Sequence, residues 1–164
     1  MPYNCIYHTP AVFNNIVMTS DGEVLTSLRF ANDGKVEYSS QELPIFDDVR
    51  RWLDVYFSGQ KLDFTPHFRI DNATPFRREV LDIVQQIPFG KTMTYGEIAS
   101  QIAQNHRIAK MSAQAVGGAV GWNPICIIVP CHRVMGANNS LTGYGGGIRN
   151  KIELLKVEGH TLLY

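Results

Sequence analysis

The run Pro130-Cys131-His132-Arg133 holds a nucleophile, a base and a cation in consecutive positions. A thiol attacks only as its thiolate, so a reactive cysteine needs a base, a positive charge or a helix N-terminus close by. His132 and Arg133 are candidates for the first two. Upstream, Ile125-Cys126-Ile127-Ile128-Val129 is wholly apolar and reads as a buried strand or extended core segment that Pro130 ends. Cys131 then emerges at the rim of the core on firmly packed chain. Consecutive side chains in extended chain point apart, so His132 acts on Cys131 through a bound water or a backbone turn. A Cys-His pair also arises by chance, and Cys126, inside the apolar run, reads as core filler.

Two further segments have unusual composition. Gly143-Tyr144-Gly145-Gly146-Gly147 precedes a helix expected from about Ile148 to Val157. Its backbone amides can hold a carbonyl oxygen, although the lysine and threonine spacing of a phosphate loop is missing and a surface loop would look the same. The second segment opens at Ser112, a helix cap. Ala113, Val116 and Val120 are expected on its buried face, with Gln114, Gly117, Gly118 and Gly121 on another. A glycine inside a helix costs about 1 kcal/mol relative to alanine, so something must approach this backbone closely, either a packed helix or a ligand.

The elements that position these segments are legible from periodicity. Asn15 to Thr19 and Val24 to Phe30 alternate as strands around the turn Ser20-Asp21-Gly22, and Asn32-Asp33-Gly34 leads to a short third strand at Val36 to Tyr38. From Pro44, Phe46, Val49, Leu53, Tyr56 and Phe57 share one helical face, stopped at Gly59. A strand at Leu62 to Phe64 and a linker from Thr65 to Ala73 follow. Thr74 caps the next helix with Pro75 at its first position, and Phe76, Val80, Ile83, Val84 and Ile87 form its stripe up to the break at Pro88-Phe89-Gly90. Thr94-Tyr95-Gly96-Glu97 is a capping box opening a helix to about Ala103. With the Ser112 helix it makes a helix-turn-helix candidate. The expectation is an α+β chain, with a small α/β unit over residues 1–73 and a mainly helical unit over 74–164.

Composition narrows the classes. The 164 residues are 45% hydrophobic, enough for a real core, and no apolar stretch is long enough to cross a bilayer. The N-terminus lacks a secretory layout, and three scattered cysteines make no disulfide framework, which places the chain in the cytosol or nucleoid. Net charge is zero, but residues 1–74 carry 6 Lys/Arg against 10 Asp/Glu and residues 75–164 carry 9 against 5. A polyanion should meet the second half.

Thr94-Tyr95-Gly96-Glu97, Ala115-Val116-Gly117-Gly118-Ala119, Asn123-Pro124, Pro130-Cys131-His132-Arg133-Val134 and Glu158-Gly159-His160 together strongly resemble the O6-alkylguanine-DNA alkyltransferases. The resemblance spans nearly all of residues 75–160 and is weaker before them. It implies an RNase H-like first domain and a winged-helix-like second one. It implies that Cys131 takes an alkyl group, most simply methyl, from O6 of a damaged guanine in double-stranded DNA, or from O4-alkylthymine. Glu158 would orient His132, which draws the thiol proton through a water. Tyr95 would donate to guanine N3 and crowd the phosphate. Asn123 would brace the active-site turn. The Cys131 and Val134 carbonyls would accept from the guanine amine, and Tyr144 and the Gly145 amide would line the pocket near O6. Arg133 would be structural, paired across the core.

The resemblance also implies that Ser112, Ala113, Gln114, Ala115, Gly117 and Gly118 press against the minor groove while the base is flipped out. Gln114 stands where the family has an arginine that fills the vacated stack, and Gly145 stands where some relatives have serine. A thioether is a poor leaving group, so each molecule works once, as a monomer and without a cofactor. Cys5 and His8 lack a second nearby cysteine, so no metal site is expected. Three rivals remain: a non-catalytic lesion sensor, a regulator signalled by alkylation of Cys131, and a cysteine hydrolase with repeated turnover.

Overall fold

The computed structural model describes residues 2–31, 42–141, 144 and 146–161. The expected turn at Asn32-Asp33-Gly34, the strand at Val36 to Tyr38, and Gly143 and Gly145 lie outside the described residues. β2 (Ile16–Ser20) and β3 (Leu25–Phe30) form the expected antiparallel hairpin. The Asp21 carboxylate closes its turn by accepting from the Glu23 and Val24 amides at 2.9 and 3.0 Å. A strand not foreseen, β1 (Tyr3–Tyr7), pairs antiparallel with β2 and gives the order β1-β2-β3. Most of its residues are half-buried, so it carries no alternation to read.

α1 (Pro44–Phe57) buries Phe46, Val49, Leu53 and Tyr56, as its stripe requires, and Gly59 follows it in the left-handed region at φ +82°. The strand expected at Leu62 to Phe64 is absent: the Phe64 carbonyl instead accepts from the Trp52 indole at 3.1 Å. The chain meets the sheet slightly later, where Phe68 bridges Leu25.

Thr74 caps α2 (Pro75–Gln85) through the Arg77 amide at 3.2 Å. The capping box opens α3 (Tyr95–Asn105), with the Thr94 hydroxyl accepting from the Glu97 amide and the Glu97 carboxylate from the Thr94 amide. Ser112 caps α4 (Ala113–Gly121) through the Ala115 amide. α2, α3 and α4 pack on one another, and a short parallel ladder joins β4 (Met93–Thr94) to β5 (Val134–Met135). The buried face of α4 is Val116, Ala119 and Val120, whereas Ala113 is exposed and not buried as expected. Burial on α4 begins three residues later, at Val116.

The reading of Ile125 to Val129 as a strand is also corrected. These residues are buried but form a tight turn, with Ile127 at φ +70° and the Val129 amide donating back to the Ile125 carbonyl at 3.0 Å. Its entry is fastened to the sheet, where the Leu28 amide donates to Pro124 and the Cys126 amide to Leu28, at 2.8 and 2.9 Å. Continuous apolarity reported burial and not extension. α5 (Ile148–Val157) closes the fold, and one hydrophobic core runs from the sheet and α1 through α2, α3 and α4 to this turn. Among the described residues, no helix is long and apolar enough to cross a membrane.

Candidate active site

The turn before Cys131 is held from inside by Asn123. Its amide donates to the Ile125 and Val129 carbonyls at 3.3 and 2.9 Å and its oxygen accepts from the Ile125 amide at 3.0 Å. Cys131 follows in a single 3-10 turn, Cys131–Arg133, so Cys131 and His132 are set apart by backbone curvature and not by extended chain. The Cys131 side chain is 4% exposed and borders a cavity of about 210 Å³. Tyr95, Gly117, Asn123, Cys126, Tyr144 and Gly146 border the same cavity. Cys126, expected as filler, is thus part of the wall.

Glu158, just past α5, is buried and fully engaged. Oε2 accepts from His132 Nε2 at 2.5 Å and from the Tyr56 hydroxyl at 2.6 Å. Oε1 accepts from Arg133 Nε at 2.7 Å and from the Gly90 amide at 2.9 Å. Gly90, at φ +79°, turns the chain so that this amide faces the carboxylate. With Nε2–H committed to Glu158, the lone pair of neutral His132 lies on Nδ1. Nδ1 is buried and has no hydrogen-bond partner in the protein.

The electrostatics separate the two groups. The thiol of Cys126 lies against Cys131 and stabilises its thiolate; with Asn123, Tyr144 and Lys151 it outweighs burial and brings Cys131 from 9.0 down to about 7. The same contact, with burial, pushes Cys126 well up. Burial lowers His132 below its ordinary value despite Glu158, so the ring is neutral near neutral pH. Burial pushes the Glu158 carboxyl up, but His132 and Arg133 together hold it well below the usual carboxylate range. A neutral base, an oriented carboxylate and an ionisable thiol are the parts of an activated nucleophile. Alkylation of Cys131 by a small haloacetamide should therefore rise with pH about a midpoint near 7, not 9, as measured by peptide mass spectrometry.

Comparison with known proteins then bears on what such a nucleophile serves. Residues 4–71 match the ribonuclease-like domain, and residues 75–160 the DNA binding domain, of 6-O-methylguanine DNA methyltransferase. The chain belongs to the 6-O-methylguanine DNA methyltransferase family. The methylated-DNA--protein-cysteine methyltransferase of Haemophilus influenzae is 35% identical over 159 residues, covering 93% of this chain and 86% of the relative. That of Salmonella typhimurium is 44% identical over 141 residues, covering 86% and 78%. The crystal structure of Mycobacterium tuberculosis O6-methylguanine methyltransferase superposes with a TM-score of 0.81 at 37% identity, over 96% of this chain and 93% of that one. A crystal structure of the same organism's OGT in complex with DNA gives 0.77 at 36% identity, over 96% and 91%.

Within this methyltransferase fold, the expected site residues fall into three groups. Cys131, Tyr95, Asn123 and Tyr144 meet at the cavity. His132 and Glu158 form the buried pair behind it, and Arg133, expected to be structural, joins Glu158 and donates to the Ile87 carbonyl at 2.6 Å. Val134 is fully buried, and its carbonyl accepts from Lys151 Nζ at 2.6 Å. On α4, Ser112, Ala113, Gln114, Ala115 and Gly118 are exposed and Gly117 lies beside Tyr95. A Cβ built on Gly118 or Gly121 meets nothing within 4 Å, so packing inside the molecule does not account for these glycines.

Two residues of the site escaped sequence reasoning. Tyr56 sat on the apolar face of α1 and read as a core ring, although a buried phenol needs a partner for its hydroxyl. Lys151 lies in the helix expected from about Ile148 to Val157 and was not singled out, yet it is buried beneath Cys131 and Val134, where burial brings it down to about 8.

Proposed function

We propose that this family member repairs DNA by moving an alkyl group from O6 of guanine irreversibly onto Cys131. The unpartnered Nδ1 of His132, behind a low-pKa thiol at a cavity, is the observation that carries this reading. The Cys131 proton passes through a water to Nδ1, and Glu158 balances the imidazolium that results. The thiolate attacks the alkyl carbon, the carbon–sulfur bond forms, and the carbon–O6 bond breaks with its electron pair going to the purine. Tyr95 donates to guanine N3 as that charge develops. The Cys131 and Val134 carbonyls, each already accepting one bond, keep a lone pair for the guanine amine. Tyr144, at the border of the cavity, lines the O6 side.

Residues 74–164 carry this chemistry and the DNA contact, and residues 1–73 buttress the relay. DNA is met as a monomer through the minor groove by Ser112, Ala113, Gln114, Ala115, Gly117 and Gly118, while the damaged base swings into the cavity. Gln114 fills the gap without the charge or stacking plane of an arginine. Because Gly118 has open space around it, Gly118→Leu should fold with unchanged or raised stability yet bind duplex DNA roughly tenfold more weakly, about 1.4 kcal/mol, by fluorescence anisotropy. Mixing the protein with excess O6-methylguanine duplex should give a burst that stops at one repaired guanine per chain. Continued turnover would fit a hydrolase and contradict the proposal.

A further inference from the structure

Tyr56 belongs to α1, far in sequence from the other members of the relay, yet its hydroxyl reaches the relay's centre. It donates to Glu158 Oε2 at 2.6 Å, the oxygen that also holds His132, and stands 3.3 Å from His132 Nε2. Its ring is fixed on three sides: stacked on Trp52 at 5.5 Å and 4°, and edge-on to Phe89 and His132. Side chain and hydroxyl are fully buried, so the position is set by packing and does not adapt to the substrate.

We propose that Tyr56 is a positioning residue that sets the basicity of His132 by sharing the carboxylate oxygen on which the imidazole is hung. Two donors on one oxygen divide its negative charge between them. With the phenol in place, the carboxylate draws the Nε2 proton less strongly, and the imidazole stays neutral and ready to take a proton at Nδ1. Burial, and then the Glu158 charge, pushes the phenol well above its ordinary value, so it remains a donor throughout the working range. The charged and titratable groups facing His132 are Glu158 beyond α5, Lys151 on α5, Arg133 beside it, Cys131 before it and Tyr56 from α1. Of these, Tyr56 alone can be made unable to donate without changing the net charge or the shape of the ring. Tyr56 is not among the residues that border the cavity beside Cys131, so its effect passes through Glu158 and His132.

The inference rests on the alkyl-transfer reading, and its test has a readout that does not depend on transfer. In Tyr56→Phe the carboxylate oxygen turns wholly to His132 and favours the imidazolium. The His132 titration, followed by nitrogen NMR of labelled imidazole, should move up by about one pH unit, a tenfold change in proton affinity. The acid limb of the single-turnover transfer rate should move up with it, leaving the rate about tenfold lower below the limb and near wild type above it. Placing 3-fluorotyrosine at position 56, which keeps the ring and strengthens the donor, should move both in the opposite direction. Trp52→Phe, which keeps an aromatic ring stacked on Tyr56 and leaves the hydroxyl, should move neither.

An unmoved His132 titration in both Tyr56 replacements, or a rate lowered equally at every pH, would overturn the proposal and leave Tyr56 a packing residue. Failure of the wild-type protein to transfer would overturn the alkyl-transfer reading, whereas the NMR titration would still decide the role of Tyr56.

Discussion

Cys131→Ala protein should take up no methyl group from an O6-methylguanine duplex while keeping its affinity for that duplex within about twofold, a change under 0.5 kcal/mol. The sulfur is the atom on which transfer depends, since in this variant the neighbouring thiol of Cys126 loses its contact at position 131 and is still disfavoured as a thiolate by burial. The side chains proposed to meet DNA are borne by a different element, α4, and are exposed whether or not the sulfur is present. Quench assays with labelled duplex measure the first quantity and anisotropy the second. A variant that still accepted methyl would move the nucleophile elsewhere. One that lost DNA affinity as well would mean that the turn and α4 are not independent.

Glu158→Ala should be the most destabilising single change in the site. Its carboxylate receives Tyr56, His132, Arg133 and the Gly90 amide, and without it the buried Tyr56 hydroxyl, His132 Nε2 and Arg133 Nε lose their acceptor, although Arg133 keeps its bond to the Ile87 carbonyl. Stranding a buried charge such as Arg133 costs about 3–5 kcal/mol, measurable as a lower urea midpoint. The pH dependence follows from the directions of the shifts. The folded carboxyl titrates below its ordinary 4.5, so its stabilisation is present above that range and is lost as pH falls towards the folded value. His132 is held below 6.5 by burial, so it too favours the fold above its ordinary value and opposes it on acidification. The stability gap between wild type and Glu158→Ala should therefore be widest at neutral pH and close as the solution is made acid. Transfer should be lost at all pH values, because His132 is no longer oriented.

How far the sequence disclosed this arrangement depended on whether the deciding contact was local. The caps at Thr74, Thr94 and Ser112 involve residues three apart, and each forms as its local pattern requires. β1 depends on pairing with partners 9 to 17 residues away and has no alternation of its own, so it was not visible. The turn at Ile125 to Val129 looked like a strand because apolarity reports burial, whereas its shape is dictated by Asn123 and the edge of β3. Cys131, His132 and Glu158 were legible through a family resemblance, not through spacing, since 26 residues separate the histidine from the carboxylate. Tyr56 lies 102 residues from Glu158, and only the folded chain brings its hydroxyl to that oxygen.

The most direct measurement is peptide-resolved mass spectrometry of the protein after one equivalent of O6-methylguanine duplex. A single methyl on the peptide holding Cys131, with Cys5 and Cys126 unmodified and guanine restored in the DNA, is the expected result. A methyl on Cys126, or restored guanine with no modified cysteine, would contradict the account at its root.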